Sequence, residues 1–183
     1  MNDFTTAILE KKDALQIHQM GFTPIADVHF SETVRHLCEA NACGGYGSSW
    51  VCPPGVGTYE ECKAAIQEYN NMFVFTTLHE LEDSYDFEGM MEGKDRHNEI
   101  CLDVIKFFRE HYDGDALILA AERCTKCAKC TYPDAPCRFP DETYPSIESY
   151  GVEVNRLAKT VGVNYINGAN TVTYFGCICF DKK

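Results

Sequence analysis

The chain has 183 residues, 45% hydrophobic and 24% charged, a composition that fits one soluble globular domain with room for a buried core. A formal net charge of −12 repels a phosphate backbone, so nucleic acid is not an expected partner, and no apolar run approaches the ~20 residues of a membrane span. The first residues carry no basic segment followed by an apolar one, so the sequence predicts no export signal and a cytoplasmic protein.

Apolar spacing predicts a first helix over about Thr6–Met20, ended near Gly21, then a strand over Ile25–Phe30 and a helix over Glu32–Ala40. Thr58–Tyr69 reads as a helix that Thr58 can cap, with Cys62, Ile66 and Tyr69 on one face. The β-rich run 72–78 predicts a buried strand. A helix over about Glu92–Tyr112 turns Ile100, Val104, Ile105 and Phe108 inward, and 116–121 forms a second buried strand. A helix starts at Ser146, after Pro145, and runs to about Val161; 171–180 makes the last strand. This order predicts an α/β fold, a single compact domain over 1–183 in which helices flank a small mixed sheet and cysteine-rich loops bind metal.

Eleven cysteines are many for a chain with no export signal, and their number is odd, which argues against a disulfide framework. Clustered thiols in a reducing compartment are metal ligands, and heavy use of oxidisable thiols suits an anaerobe. The segment 122–140 contains Cys-x2-Cys-x2-Cys-x6-Cys: Cys124, Cys127, Cys130 and Cys137. A [4Fe–4S] cube needs four thiolates; two-residue gaps let a tight loop reach three irons, and the fourth ligand arrives from further along. Pro133, Pro136 and Pro140 stiffen the return to Cys137. Zinc is the less favoured occupant, because zinc hooks are usually pairs separated by a dozen or more residues and three cysteines this close crowd one tetrahedral ion. Between Arg123 and Arg138, four basic residues (Arg123, Lys126, Lys129 and Arg138) outnumber the single acid, Asp134, and would stabilise an anionic cluster.

The segment 35–57 holds Cys38, Cys43 and Cys52, five of the thirteen glycines, the only Trp and Pro53–Pro54. Glycine lets backbone approach a bulky inorganic core and donate to its sulfides, so these three cysteines are candidate ligands of a second cluster. Seven thiols are one short of two fully ligated cubes. Either an eighth ligand comes from elsewhere, or one iron stays open to substrate and acts as a Lewis acid. Cys62 and Cys101 read as core residues, whereas Cys177 and Cys179 alternate along a strand, share a face, and are candidates for the eighth ligand.

The glycine-rich Cys…Trp-Val-Cys-Pro-Pro segment, the run CTKCAKCTYPDAPCRFP and the following SIESYGVEV resemble a family of predicted metal-binding proteins, domain of unknown function 2284, from about Arg35 to Phe180. The resemblance implies iron–sulfur binding by Cys124, Cys127, Cys130 and Cys137, with Cys38, Cys43 and Cys52 as further ligands; Cys177 and Cys179 fall outside its pattern. It implies no particular reaction.

The leading functional expectation is an iron–sulfur protein with one or two [4Fe–4S] clusters that passes electrons to a redox partner protein. One alternative is an enzyme that binds a small-molecule substrate at an open iron, with Arg35, His36, Tyr46 and Arg138 as candidate helpers. The other is a zinc-stabilised binding module.

Overall fold

A strand whose successive residues are all apolar must be covered on both faces, and Met72–Phe75 is such a segment. The computed structural model describes residues 3–183. Its elements run α1 (Asp3–Lys11), β1 (Gln19–Pro24), α2 (Glu32–Glu39), α3 (Tyr59–Gln67), β2 (Tyr69–Glu80), α4 (Phe87–His111), β3 (Leu117–Leu119), α5 (Val154–Val161) and β4 (Thr171–Lys182), with 3-10 turns at Ile25–Asp27, Pro140–Glu142 and Glu148–Tyr150. The four strands form one sheet in the order β1-β2-β4-β3, and every ladder is antiparallel. The predicted mixed character reduces to one isolated parallel bridge between Ala120 and Ser146.

The long β2–β4 ladder pairs Met72 with Cys179, Phe73 with Ile178 and Val74 with Cys177. Side chains alternate across the sheet. Met72, Val74, Cys177 and Cys179 face one core with Cys62, Ile66 and Leu157 from α3 and α5. Phe73, Phe75, Ile178 and Phe180 face the other with Phe4 and Ile8 from α1 and Ile100, Val104 and Phe108 from α4. Phe4 stands at the centre of an edge-to-face aromatic group, 5.3 Å from the Phe73 ring and 4.8 Å from Phe108. Among the described residues no helix is long and apolar enough to cross a membrane.

Four predicted elements change. The first helix stops at Lys11, where a turn ending in Gln16 at φ 57° reverses the chain, and Gln19–Pro24 pairs with β2 as an edge strand. Backbone pairing and the packing of Met20 and Phe22 on the aromatic core outweigh helix propensity there. The strand expected over Ile25–Phe30 is instead a 3-10 turn followed by a single bridge from Phe30 to Val152. The helix expected from Ser146 is interrupted at Gly151, whose φ of +73° is left-handed and whose missing Cβ makes room for the Tyr59 ring. α4 begins earlier than predicted because the Asp86 side chain accepts the Gly89 N–H at 2.8 Å and caps it.

Beneath α4 lies a buried polar group. Thr77 Oγ1 stands 2.8 Å from His97 Nδ1, and His97 Nε2 stands 3.2 Å from the Cys101 sulfur. Burial, reinforced by nearby His79, pushes the His97 pKa down to about 3, so the ring is neutral in the fold at pH 7. In the unfolded chain a histidine titrates near 6.5, so between that pH and about 3 only the unfolded state takes up the proton. This residue therefore lowers stability by about 1.4 kcal/mol for each pH unit below the unfolded value. Denaturant unfolding of the full chain at pH 7 and pH 4.5 is expected to show a shallower loss of stability in His97→Gln than in wild type; equal slopes would remove His97 as the cause.

Candidate metal centre

The site is assembled from two loops, 40–57 after α2 and 120–145 after β3. Trp50 holds them together: its Nε1–H donates to the Ala135 carbonyl at 2.9 Å, and its ring meets Tyr132 edge-on at 4.9 Å. Within the second loop Ala135 N–H closes a turn on the Thr131 carbonyl at 3.0 Å, and Thr131 Oγ1 donates to the Pro136 carbonyl at 2.8 Å. This turn brings Cys137 back toward Cys130.

Cys124, Cys127, Cys130 and Cys137 line one cavity of about 170 Å³, each partly accessible. The Tyr132 N–H donates to the Cys130 sulfur at 3.5 Å and the Phe139 N–H to the Cys137 sulfur at 3.4 Å. The cation surplus of the sequence surrounds this loop in part. Arg138 lines the cavity and donates to the Lys129 carbonyl at 3.0 Å. Lys126 forms an ion pair with Glu142 and lies 5.4 Å above the Phe139 ring.

Cys38, Cys43 and Cys52 line a second, largely apolar cavity of about 260 Å³. A Cβ on Gly45 would come within 3.1 Å of the Cys52 sulfur and 3.3 Å of the Cys43 sulfur, so this glycine is the gap between two converging thiols. Burial raises the Cys38 thiol pKa, and the neighbouring Glu148 carboxylate raises it further; burial likewise raises Cys52. The two cavities adjoin. Cys124 lies close to Cys52, and Arg123 lines both cavities.

Among the described residues no three His, Cys, Asp or Glu side chains converge closely enough to hold one metal ion. The seven thiols border two adjoining cavities. Among the described residues, Ser49 Oγ is the one buried side-chain nitrogen or oxygen with no hydrogen-bond partner, and Ser49 lines the four-cysteine cavity. The Cys52 thiol is near enough to feel the hydroxyl but is not aligned to satisfy it. A cluster sulfide or thiolate would supply the missing acceptor.

Of the remaining candidates, Arg35 is buried and structural. Its guanidinium donates to the carbonyls of Ser149 and Gly57 and approaches the Cys62 sulfur at 3.8 Å, tying α2 to the turn at Glu148–Tyr150 and to the first loop. His36 is exposed beside Glu32, and Tyr46 stands on the rim of the second cavity. Cys62 and Cys101 are core residues. Cys177 and Cys179 do share a face, but burial holds both thiols protonated in the core of the sheet, remote from solvent.

Sequence reasoning missed Lys94, a fully buried residue of α4 whose Nζ donates to Thr125 Oγ1 at 2.9 Å and so anchors the residue after Cys124. Its signal was present: Lys94, His97, Cys101, Val104 and Phe108 follow one helical face. A third cavity, about 420 Å³, opens between α4 and this loop, with Asp95, Cys101, Arg123, Cys124 and Tyr144 in its wall.

Fold and site together define an α/β domain with two adjoining cysteine-lined cavities, a candidate metal centre. The chain belongs to the family described as predicted metal-binding protein, DUF2284, whose model matches residues 22–180. No curated protein matches it. Among solved structures it is similar to epoxyqueuosine reductase from Bacillus subtilis (9% identity, TM-score 0.45) and from Streptococcus thermophilus (9% identity, TM-score 0.46). In each case 98% of this chain is covered but 46% of the other, so it spans about half the length of those proteins.

Replacing Arg35 by Met leaves two carbonyls without their donor, and an unsatisfied buried group costs about 1–3 kcal/mol. Arg35→Met is therefore expected to destabilise the chain by about 2–5 kcal/mol in urea unfolding, whereas His36→Met changes it by less than about 0.5 kcal/mol.

Proposed function

We propose that this protein is a cytoplasmic iron–sulfur protein that passes single electrons to or from a partner protein. One [4Fe–4S] cluster would be held by Cys124, Cys127, Cys130 and Cys137, and a second at Cys38, Cys43 and Cys52. The observation that carries the reading is that four cysteines from one short stretch border a single cavity, with an unpartnered buried hydroxyl in its wall. An iron–sulfur cube bound there supplies a one-electron couple.

The surrounding residues suit that task. N–H groups directed at the Cys130 and Cys137 sulfurs would donate to cluster ligands, and the guanidiniums of Arg123 and Arg138 would offset the negative charge that a reduced cluster adds. Arg123 lines both cysteine cavities, and their adjacency supports electron passage between centres over independent use of either.

The large cavity beside Cys124 favours a second reading, an enzyme that reduces a small molecule held between α4 and the cluster loop. A small molecule that perturbs the cluster's EPR signal at low concentration would select this reading over a carrier.

Anaerobically purified protein is expected to contain iron and acid-labile sulfide and to absorb in the visible range, and Cys127→Ser is expected to lose at least the share of both belonging to the first cluster. Zinc without sulfide would refute the proposal. Ser49→Ala, which removes a donor facing the cavity, is expected to lower the reduction potential of the first cluster in voltammetry while leaving its iron content unchanged.

A further inference from the structure

Two fully ligated cubes need eight protein ligands, and the end of α2 with the two loops offers seven thiols, Cys38 on the helix and six in the loops. The fold takes the other four cysteines out of consideration. Cys62 donates to the Val56 carbonyl at 3.4 Å and is in contact with Arg35; Cys101 is paired with His97; Cys177 and Cys179 are fully buried in the sheet core. An eighth protein ligand is therefore of another chemistry.

The cavity bordered by Cys38, Cys43 and Cys52 contains two carboxylates, Glu122 and Glu148, and one serine, Ser146. Ser146 Oγ already accepts the Ser149 N–H at 3.1 Å. Glu122 also lines the larger cavity beside α4, so its position serves both. Glu148 differs from both in its tie to the cysteine-bearing helix. It sits on the 3-10 turn that packs against α2, and Arg35, one turn before Cys38 on that helix, is bonded to the carbonyl of the residue after Glu148. Its side chain is exposed, and among the described residues it forms no ion pair.

We propose that the Glu148 carboxylate is the fourth protein ligand at the Cys38, Cys43 and Cys52 site, which thereby holds a cluster through three thiolates and one oxygen. The proposal rests on the iron–sulfur reading above. A carboxylate is a harder and weaker donor than a thiolate, so this centre differs from the all-cysteine one: its oxygen-bound iron is the most easily lost, and its potential lies above that of the same site with four thiolates. The two centres are then unequal by construction, which gives electron flow between them a direction.

The test uses the full chain, reconstituted anaerobically with iron and sulfide, in five forms: wild type, Glu148→Ala, Glu148→Gln, Glu148→Cys and Cys43→Ser. Iron and sulfide per chain, EPR and voltammetry are the readouts. Wild type is expected to hold two cubes. Glu148→Ala should lose one iron of the second cube and show the EPR signal of an oxidised three-iron cluster, with the first cube unchanged. Glu148→Cys should restore the four-iron form at a lower potential than wild type. Glu148→Gln, which keeps the side chain's shape, should reproduce the alanine result and serves if the alanine variant does not fold. Should Cys43→Ser remove the second cluster while Glu148→Ala and Glu148→Gln keep wild-type iron and spectra, the Glu148 proposal fails and the iron–sulfur reading stands. Should Cys43→Ser change nothing, no second cluster exists and both the proposal and that part of the reading fall.

Discussion

The buried guanidinium of Arg35 is the contact on which the arrangement of the cysteine loops depends. It leaves helix α2 and donates at once to the turn at Ser149 and to the end of the first loop at Gly57, so three segments distant in sequence are fixed relative to one another. A neutral side chain could fill the same space but could not satisfy two carbonyls turned away from water. Because Cys38 lies three residues further along the same helix, this polar clamp also decides where the first thiol of the second cavity stands. The sequence placed Arg35 among possible catalytic helpers because it is near Cys38; its role is to hold rather than to react.

The sheet imposes the complementary constraint. Both faces of β2 and β4 are covered, which leaves no room for a cofactor within the core, and Cys62, Cys101, Cys177 and Cys179 behave as small apolar residues. The candidate ligands stand at the end of α2 and in the two loops, where backbone N–H groups are free to turn toward sulfur. Such loops lack a hydrophobic core of their own. They depend on discrete ties: Trp50 to Ala135, Lys94 to Thr125, Arg123 to the Gly44 carbonyl at 3.4 Å, and the ion pair of Lys126 with Glu142. A metal cluster would complete this set, since ligation fixes several thiolates at once and adds its binding free energy to folding.

The acidity of the chain also acquires a local meaning. In a chain of net charge −12, the stretch from Arg123 to Arg138 carries four cations and one acid, so a negatively charged centre bound there would sit in a favourable local field.

By itself the sequence determined the cysteine spacing, the local excess of cations, the capped α3 and the apolar runs that become β2, β3 and β4. Each of these is a short-range property, fixed by neighbours within a few residues: the reach of a loop around a cube, the bonding of Thr58 to Glu61, the covering of a wholly apolar strand. Tertiary structure alone decided the rest. Gln19–Pro24 became a strand because an edge of β2 needed a partner, Gly151 ended a helix because the Tyr59 ring occupies the place of its side chain, and Cys177 and Cys179 were withdrawn into the core because the register of β4 turns them inward. Glu148 and Ser49 came to face the cysteines through contacts between segments about a hundred residues apart in the chain. No local pattern encodes such proximity, because it follows from how whole elements pack.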